Sequence, residues 1–125
     1  MSDLCDKTAI ELRRLIGRKD VSPVELLDSC IARIEATDSA LNAVVTRSFD
    51  RARDEALHAE KAVLNGEELG LLHGLPVGIK DLEATDGIRT TLGSQLYSDH
   101  IPNKDQGSVA NIRAEGGIVI GKTNT

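Results

Sequence analysis

Tryptophan is absent from the 125 residues, and Phe49 and Tyr97 are the only aromatic side chains. A chain this poor in aromatics has no stacking platform for unpaired bases. Its charge, 20 Asp and Glu against 15 Lys and Arg in a mixed order, offers no basic face to a phosphate backbone. Nucleic acid is therefore not an expected partner. Cysteine is equally scarce: Cys5 and Cys30 make at most one pair, too few for a disulfide-stapled domain, so a reducing compartment is expected. No apolar run approaches the roughly 20 residues that span a bilayer. The start, Met1-Ser2-Asp3-Leu4-Cys5-Asp6, lacks the charged and apolar segments of a secretory leader. These absences together lead us to expect a cytoplasmic protein without a membrane partner.

What is present is an ordinary globular composition, 40% hydrophobic and 28% charged, and a length that allows one domain at most. Residues 1–66 read as a helical region. Thr8-Ala9-Ile10-Glu11 is a capping-box pattern, followed by Leu12, Leu15 and Ile16 at helical spacing and a stop at Gly17. Ser22-Pro23-Val24-Glu25 opens a second helix, with proline at the position where a missing N–H costs nothing and Val24, Leu27, Ile31 and Ile34 in one stripe. A third helix is predicted from Ser48 to Leu64, closing at Asn65-Gly66, with Phe49, Ala52, Ala56, Ala59 and Val63 as its packing face. Asn42 to Thr46 is a short strand candidate between them.

Residues 67–125 read as the start of an α/β core. Glycines gather from Gly66 onward, marking turns and close backbone approaches. Leu75 to Ile79 reads as a buried strand, Asp105 to Ala114 as an Asp-capped helix closed by Gly116, and Ile118 to Ile120 as a second buried strand, an order that suggests parallel pairing. Gly116 to Thr123 fits the letters G-x-x-x-x-G-K-[ST] of a phosphate-binding loop. The β-branched Ile118-Val119-Ile120 run favours extended backbone, however, and no helix start follows it, so a buried strand ending in Gly-Lys is the better reading.

Cys30 lies beside the apolar stripe of the second helix, where a free thiol behaves as a small hydrophobe. His58, His73 and His100 lie far apart in sequence without metal-ligand spacing, so no metal and no cofactor are expected. Lys80 remains. It ends an apolar strand between Gly78 and Asp81, a position in which burial would lower its pKa toward that of a proton acceptor.

Four ordered motifs now give the sequence a likeness. Gly74-Leu75-Pro76-Val77-Gly78-Ile79-Lys80-Asp81, Gly87-Ile88-Arg89-Thr90-Thr91-Leu92-Gly93-Ser94, the helix from Asp105 to Glu115, and Gly121-Lys122-Thr123-Asn124 resemble, in one register, the amidase signature family. Ser22 to Leu26, Arg33-Ile34-Glu35 and Leu41-Asn42-Ala43 extend the likeness toward the N-terminus. The resemblance implies the N-terminal part of the amidase-signature α/β fold, helices packed on a mixed or parallel sheet that this chain leaves incomplete.

It also implies a hydrolase acting on small-molecule carboxamides. In this family a serine nucleophile passes its proton through a second serine, held by a cis peptide, to an unprotonated lysine, and the resemblance assigns that base to Lys80. Asp81 and Gly78 then look like supports of the strand end, and Thr123 and Asn124 like part of the site's second wall. The two serines belong to a Gly-Ser-Ser-Gly-Gly-Ser region that is absent here. Ser94 sits in a turn and Ser108 in the first turn of a helix, and neither reads as a nucleophile. The expectation is a fragment that supplies the base but is inactive alone. An assembly or interaction piece that self-associates through uncovered surfaces is the alternative. Leu82 stands where many members, including the A chain of the amidotransferases, have Asn, which favours a general amidase over a fragment of an amidotransferase.

Overall fold

The computed structural model describes residues 3–125. Thr8 and Glu11 exchange hydrogen bonds, the Glu11 amide donating to Thr8 Oγ1 (3.2 Å) and the Thr8 amide to Glu11 Oε2 (2.9 Å), and this reciprocal cap starts α1, Ala9–Gly17. Gly17 is its last residue, but the left-handed residue that turns the chain away is Lys19, at φ 66°. α2, Pro23–Leu41, ends on the left-handed Asn42, and α3 is Phe49–Leu64. Between them β1, Val44–Arg47, starts beyond the predicted Asn42 because that residue is spent on the cap.

Ser22 caps α2 by accepting from the Val24 amide (2.9 Å) and in turn donates to Glu60 Oε1 of α3 (2.6 Å). One hydroxyl thus serves both a helix end and a helix–helix contact. Ser22→Ala is expected to lower unfolding free energy by about 1.5 kcal/mol in urea titration, the upper part of the range for a cap, because Glu60 also loses its donor. A loss below about 0.5 kcal/mol would show that solvent replaces both bonds.

The sheet has the order β1-β3-β2, with β2 at Pro76–Lys80 and β3 at Ile118–Thr123. β3 pairs antiparallel with β1 and parallel with β2, and the crossover from β2 carries α4, Gly107–Ala114. Leu27 and Ile31 of α2 and Ala52, Ala56 and Ala59 of α3 pack on one face of the sheet, over Ile118 and Ile120. Val119, Ile79 and Ile88 pack with Val109 of α4 on the other. Each fully buried aliphatic side chain in these layers contributes roughly 2 kcal/mol of transfer free energy. α1 adds Leu12 and Ile16 to a third cluster with Leu26, Val63 and Leu75.

Two expectations change here. Asp105 does not cap α4. The N-cap position is Gln106, while Asp105 Oδ1 accepts from the Asp86 amide (2.7 Å) and Oδ2 pairs with Arg113 Nε (3.0 Å), so its carboxylate ties the preceding loop to the end of the helix. β2 is also only partly buried, because it is an outer strand with one edge unpaired among the described residues; Gly78 and Lys80 are exposed and, within the strand, only Ile79 is fully buried.

Candidate active site

Val77 pairs with Val119, but the next pair is Gly78 with Gly121, so Ile120 is an extra residue on β3. Simple alternation would leave Lys122 on the face of Ile118 and Ile120. The bulge turns it instead to pair with Ile79, on the α4 face, and brings Thr123 opposite Lys80. The strand ends Ile79-Lys80-Asp81 and Lys122-Thr123-Asn124 are thereby laid side by side, with the Asp81 amide donating to Thr123 O (2.9 Å).

Lys122 is wholly buried. Its Nζ donates to Thr90 Oγ1 (2.7 Å) and Glu83 O (2.8 Å) and lies 3.7 Å from Asp81 Oδ1. Thr90 is itself buried and donates to Ile88 O (3.0 Å), so its lone pairs are free for the ammonium. Burial holds the Lys122 pKa below the ordinary lysine value of 10.5, and the Asp81 charge pulls in the opposite direction without restoring it. Asp81, also buried, accepts from the Thr91 amide (3.1 Å) and from the Thr91 hydroxyl, and its carbonyl accepts from Leu92 N (2.9 Å). These bonds hold Leu92 and Gly93 both left-handed, at φ 56° and 69°, a conformation that costs Leu92 roughly 1 kcal/mol.

Lys80 differs from the expectation in one respect. It is exposed in this chain, and among the described residues its amine has neither a hydrogen-bond nor an ion-pair partner. The desolvated lysine of this strand pair is Lys122, because β3 is the central strand and β2 the outer one. Gly78 sits on the same face as Lys80; a Cβ there would stand 2.9 Å from Thr123 Cγ2, so glycine admits the Thr123 methyl over the strand. Asn124 reaches away: its amide donates to Ala43 O (2.8 Å) and its Nδ2 to Asn42 O (3.0 Å), which fastens the strand end to the C-cap of α2.

Ser94 Oγ accepts from the Leu96 amide (3.2 Å), capping a short 3-10 turn, and Ser108 donates to Glu83 Oε2 (3.2 Å). Neither is joined to Lys80. His58 and His73 line an open cavity of about 410 Å³ with Arg51, Glu55 and Arg113, where each ring nitrogen in contact meets a backbone carbonyl, Asp54 O and Ala59 O, both at 2.9 Å. No group of three or more His, Cys, Asp or Glu among the described residues is placed to share a metal ion. No helix of the described residues is long and apolar enough to cross a membrane. Sequence reasoning missed Lys122 as the buried cation; the Gly-Lys-Thr-Asn motif marked the position but not its partners.

A family model for amidases matches residues 25–125. The A chain of the glutamyl-tRNA(Gln) amidotransferase of Geotalea daltonii is 38% identical over 122 residues, 98% of this chain and 25% of the relative. That of Geobacter sulfurreducens is 40% identical over 122 residues, with the same shares. Among solved structures, a bacterial aryl acylamidase of the amidase signature enzymes superposes with a TM-score of 0.88 at 33% identity, covering 95% of this chain and 25% of that one. The chain spans about a quarter of the length of the curated relatives it matches.

Proposed function

The chain belongs to the amidase signature family, and from that premise we propose that it is the N-terminal part of an amidohydrolase in which Lys80 is the proton acceptor for a serine nucleophile. The observation that carries this reading is the contrast between the two lysines at the sheet end. Lys122 is buried and engaged by Thr90 and Glu83, whereas among the described residues the Lys80 amine has no partner on the face shared with Gly78 and Thr123. Of the two, only Lys80 has an amine open to a further partner. In the proposed reaction the nucleophilic serine attacks the carboxamide carbonyl, a second serine relays the proton to neutral Lys80, and the protonated lysine returns it to the leaving ammonia or amine. Asp81 supports the site by fixing the Thr90 to Gly93 turn, and Thr123 and Asn124 by fixing the neighbouring strand end.

A second reading, a piece of the A chain of an amidotransferase, is favoured by relatives of that kind at 36–40% identity. Leu82, which follows Lys80-Asp81, favours the general amidase. A non-catalytic piece that assembles through uncovered side chains such as Leu71, Leu96 and Ile101 is the third. Ammonia release from primary carboxamides separates catalysis by these residues alone from the proposal. The 125-residue chain is expected to release none above buffer, since neither Ser94 nor Ser108 reaches Lys80 and loss of even one oxyanion donor costs about a hundredfold. Ammonia release that vanishes in Lys80→Ala would overturn the assignment of the nucleophile to a region beyond residue 125.

A further inference from the structure

Cys5 and Cys30 stand 25 residues apart in sequence, yet their sulfurs lie 3.7 Å apart and both are partly buried. A dense polar set holds them there. Asp3 caps the 3-10 turn Leu4–Asp6 by accepting from the Cys5 amide (3.2 Å), accepts from the Ser29 hydroxyl, and pairs with Arg33 Nη2 (3.0 Å). Arg33 also reaches Asp6 Oδ1 (3.1 Å), and Ser29 Oγ lies 3.2 Å from Cys5 Sγ. The turn is thus clamped to α2 at residues 29 and 33, on either side of Cys30. Both thiols line an apolar groove of about 310 Å³ whose other wall is Pro76, Gly78, Ile120 and Thr123.

We propose that Cys5 and Cys30 are a redox-responsive pair that closes as a disulfide, fastening the N-terminal turn to α2 beside the groove that runs to the Lys80 strand end. The inference rests on the geometry of the pair and stands whether or not Lys80 is a catalytic base. Bringing two sulfurs from contact to bonding distance of about 2.05 Å is a closure of roughly 1.6 Å, within reach of side-chain rotation. The co-reactant is a low-molecular-weight disulfide. Cys5 thiolate attacks one of its sulfurs, forming a mixed disulfide and releasing one thiol. Cys30, deprotonated as it attacks, then displaces the second thiol from Cys5. Two protein thiols are oxidised and one small disulfide is reduced to two thiols. Burial and the adjacent Cys5 push the Cys30 thiol up to about 12, which makes it the resolving group and Cys5 the entry point.

The test is incubation of the chain with oxidised glutathione, followed by intact mass and alkylation of remaining thiols, in native buffer and in guanidinium. The expected product in native buffer is the internal disulfide, lighter by two hydrogens and closed to alkylation, formed at least roughly tenfold faster than in guanidinium. Cys5→Ser and Cys30→Ser should each stop short of it, and the oxidised chain should unfold roughly 10 °C above the reduced one. Glutathione adducts persisting at both cysteines, closure no faster than in the unfolded chain, or an oxidised form that melts no higher than the reduced one would each overturn the proposal.

Discussion

Lys80→Ala, introduced into a chain that carries the remaining serine machinery, is expected to lower kcat/KM for carboxamides by at least about a thousandfold. In the 125-residue chain the same substitution should leave stability within about 0.5 kcal/mol, because there Lys80 is an exposed residue of an outer strand with no side-chain partner among the described residues. Lys80→Arg should be as inactive as alanine, since a guanidinium keeps its proton at every working pH and cannot accept another. Steady-state kinetics on the longer chain and thermal melts on the 125-residue chain make the comparison. Activity within tenfold of the parent in either variant would remove Lys80 from the reaction; lost activity together with a collapsed melt would reduce it to a structural residue.

Lys122→Met should do the opposite, costing about 3 kcal/mol and lowering the melting midpoint by roughly 10 °C or more. Methionine fills much of the same space but leaves the buried Asp81 carboxylate without the cation at 3.7 Å. Adding Asp81→Asn to Lys122→Met should cost less than the two single losses summed, because the second change removes the stranded charge the first created. Strict additivity would mean that the pair is not coupled. The pH dependence carries a sign that distinguishes this lysine from a surface one. Its folded pKa lies below 10.5, so between that lowered value and 10.5 the unfolded chain binds more protons than the folded one. Stability contributed by this site should therefore rise with pH across that window, and Lys122→Met should abolish the rise. A parent whose stability relative to the variant falls with pH in that range would contradict the buried, desolvated ammonium.

Local signals made much of this fold legible. Thr8 with Glu11, Ser22 with Pro23, and the alanine face of α3 are each self-contained statements within one or two helical turns, and all three helices formed at the expected places. The apolar run at Ile118 identified β3 for the same reason. Which of two lysines is buried was not legible, because Ile79-Lys80 and Ile120-Gly121-Lys122 both read as an apolar strand ending in a cation. The answer depends on sheet order and on a one-residue bulge, and both are set by pairing between distant segments. Asp105 misled for a related reason: a carboxylate before a helix is a good cap unless a loop amide and an arginine claim it first, as Asp86 and Arg113 do. The approach of Cys5 to Cys30 depends on a turn folding back onto α2, which no local pattern announces.

β3 comes last among these strands in the chain and lies in the middle of the sheet. On a translating ribosome, β1 therefore emerges with no strand to pair with, and β2 follows into the same condition. At roughly 15 residues per second the interval between β1 and β3 lasts about five seconds. Once α3 has followed β1 out, α2 and α3 can dock as a helical hairpin, but their buried face has neither Ile118 nor Ile120 to close on. A nascent chain in this interval exposes an apolar groove and two unpaired strands, the features that holding chaperones recognise, until six residues of β3 complete both layers at once.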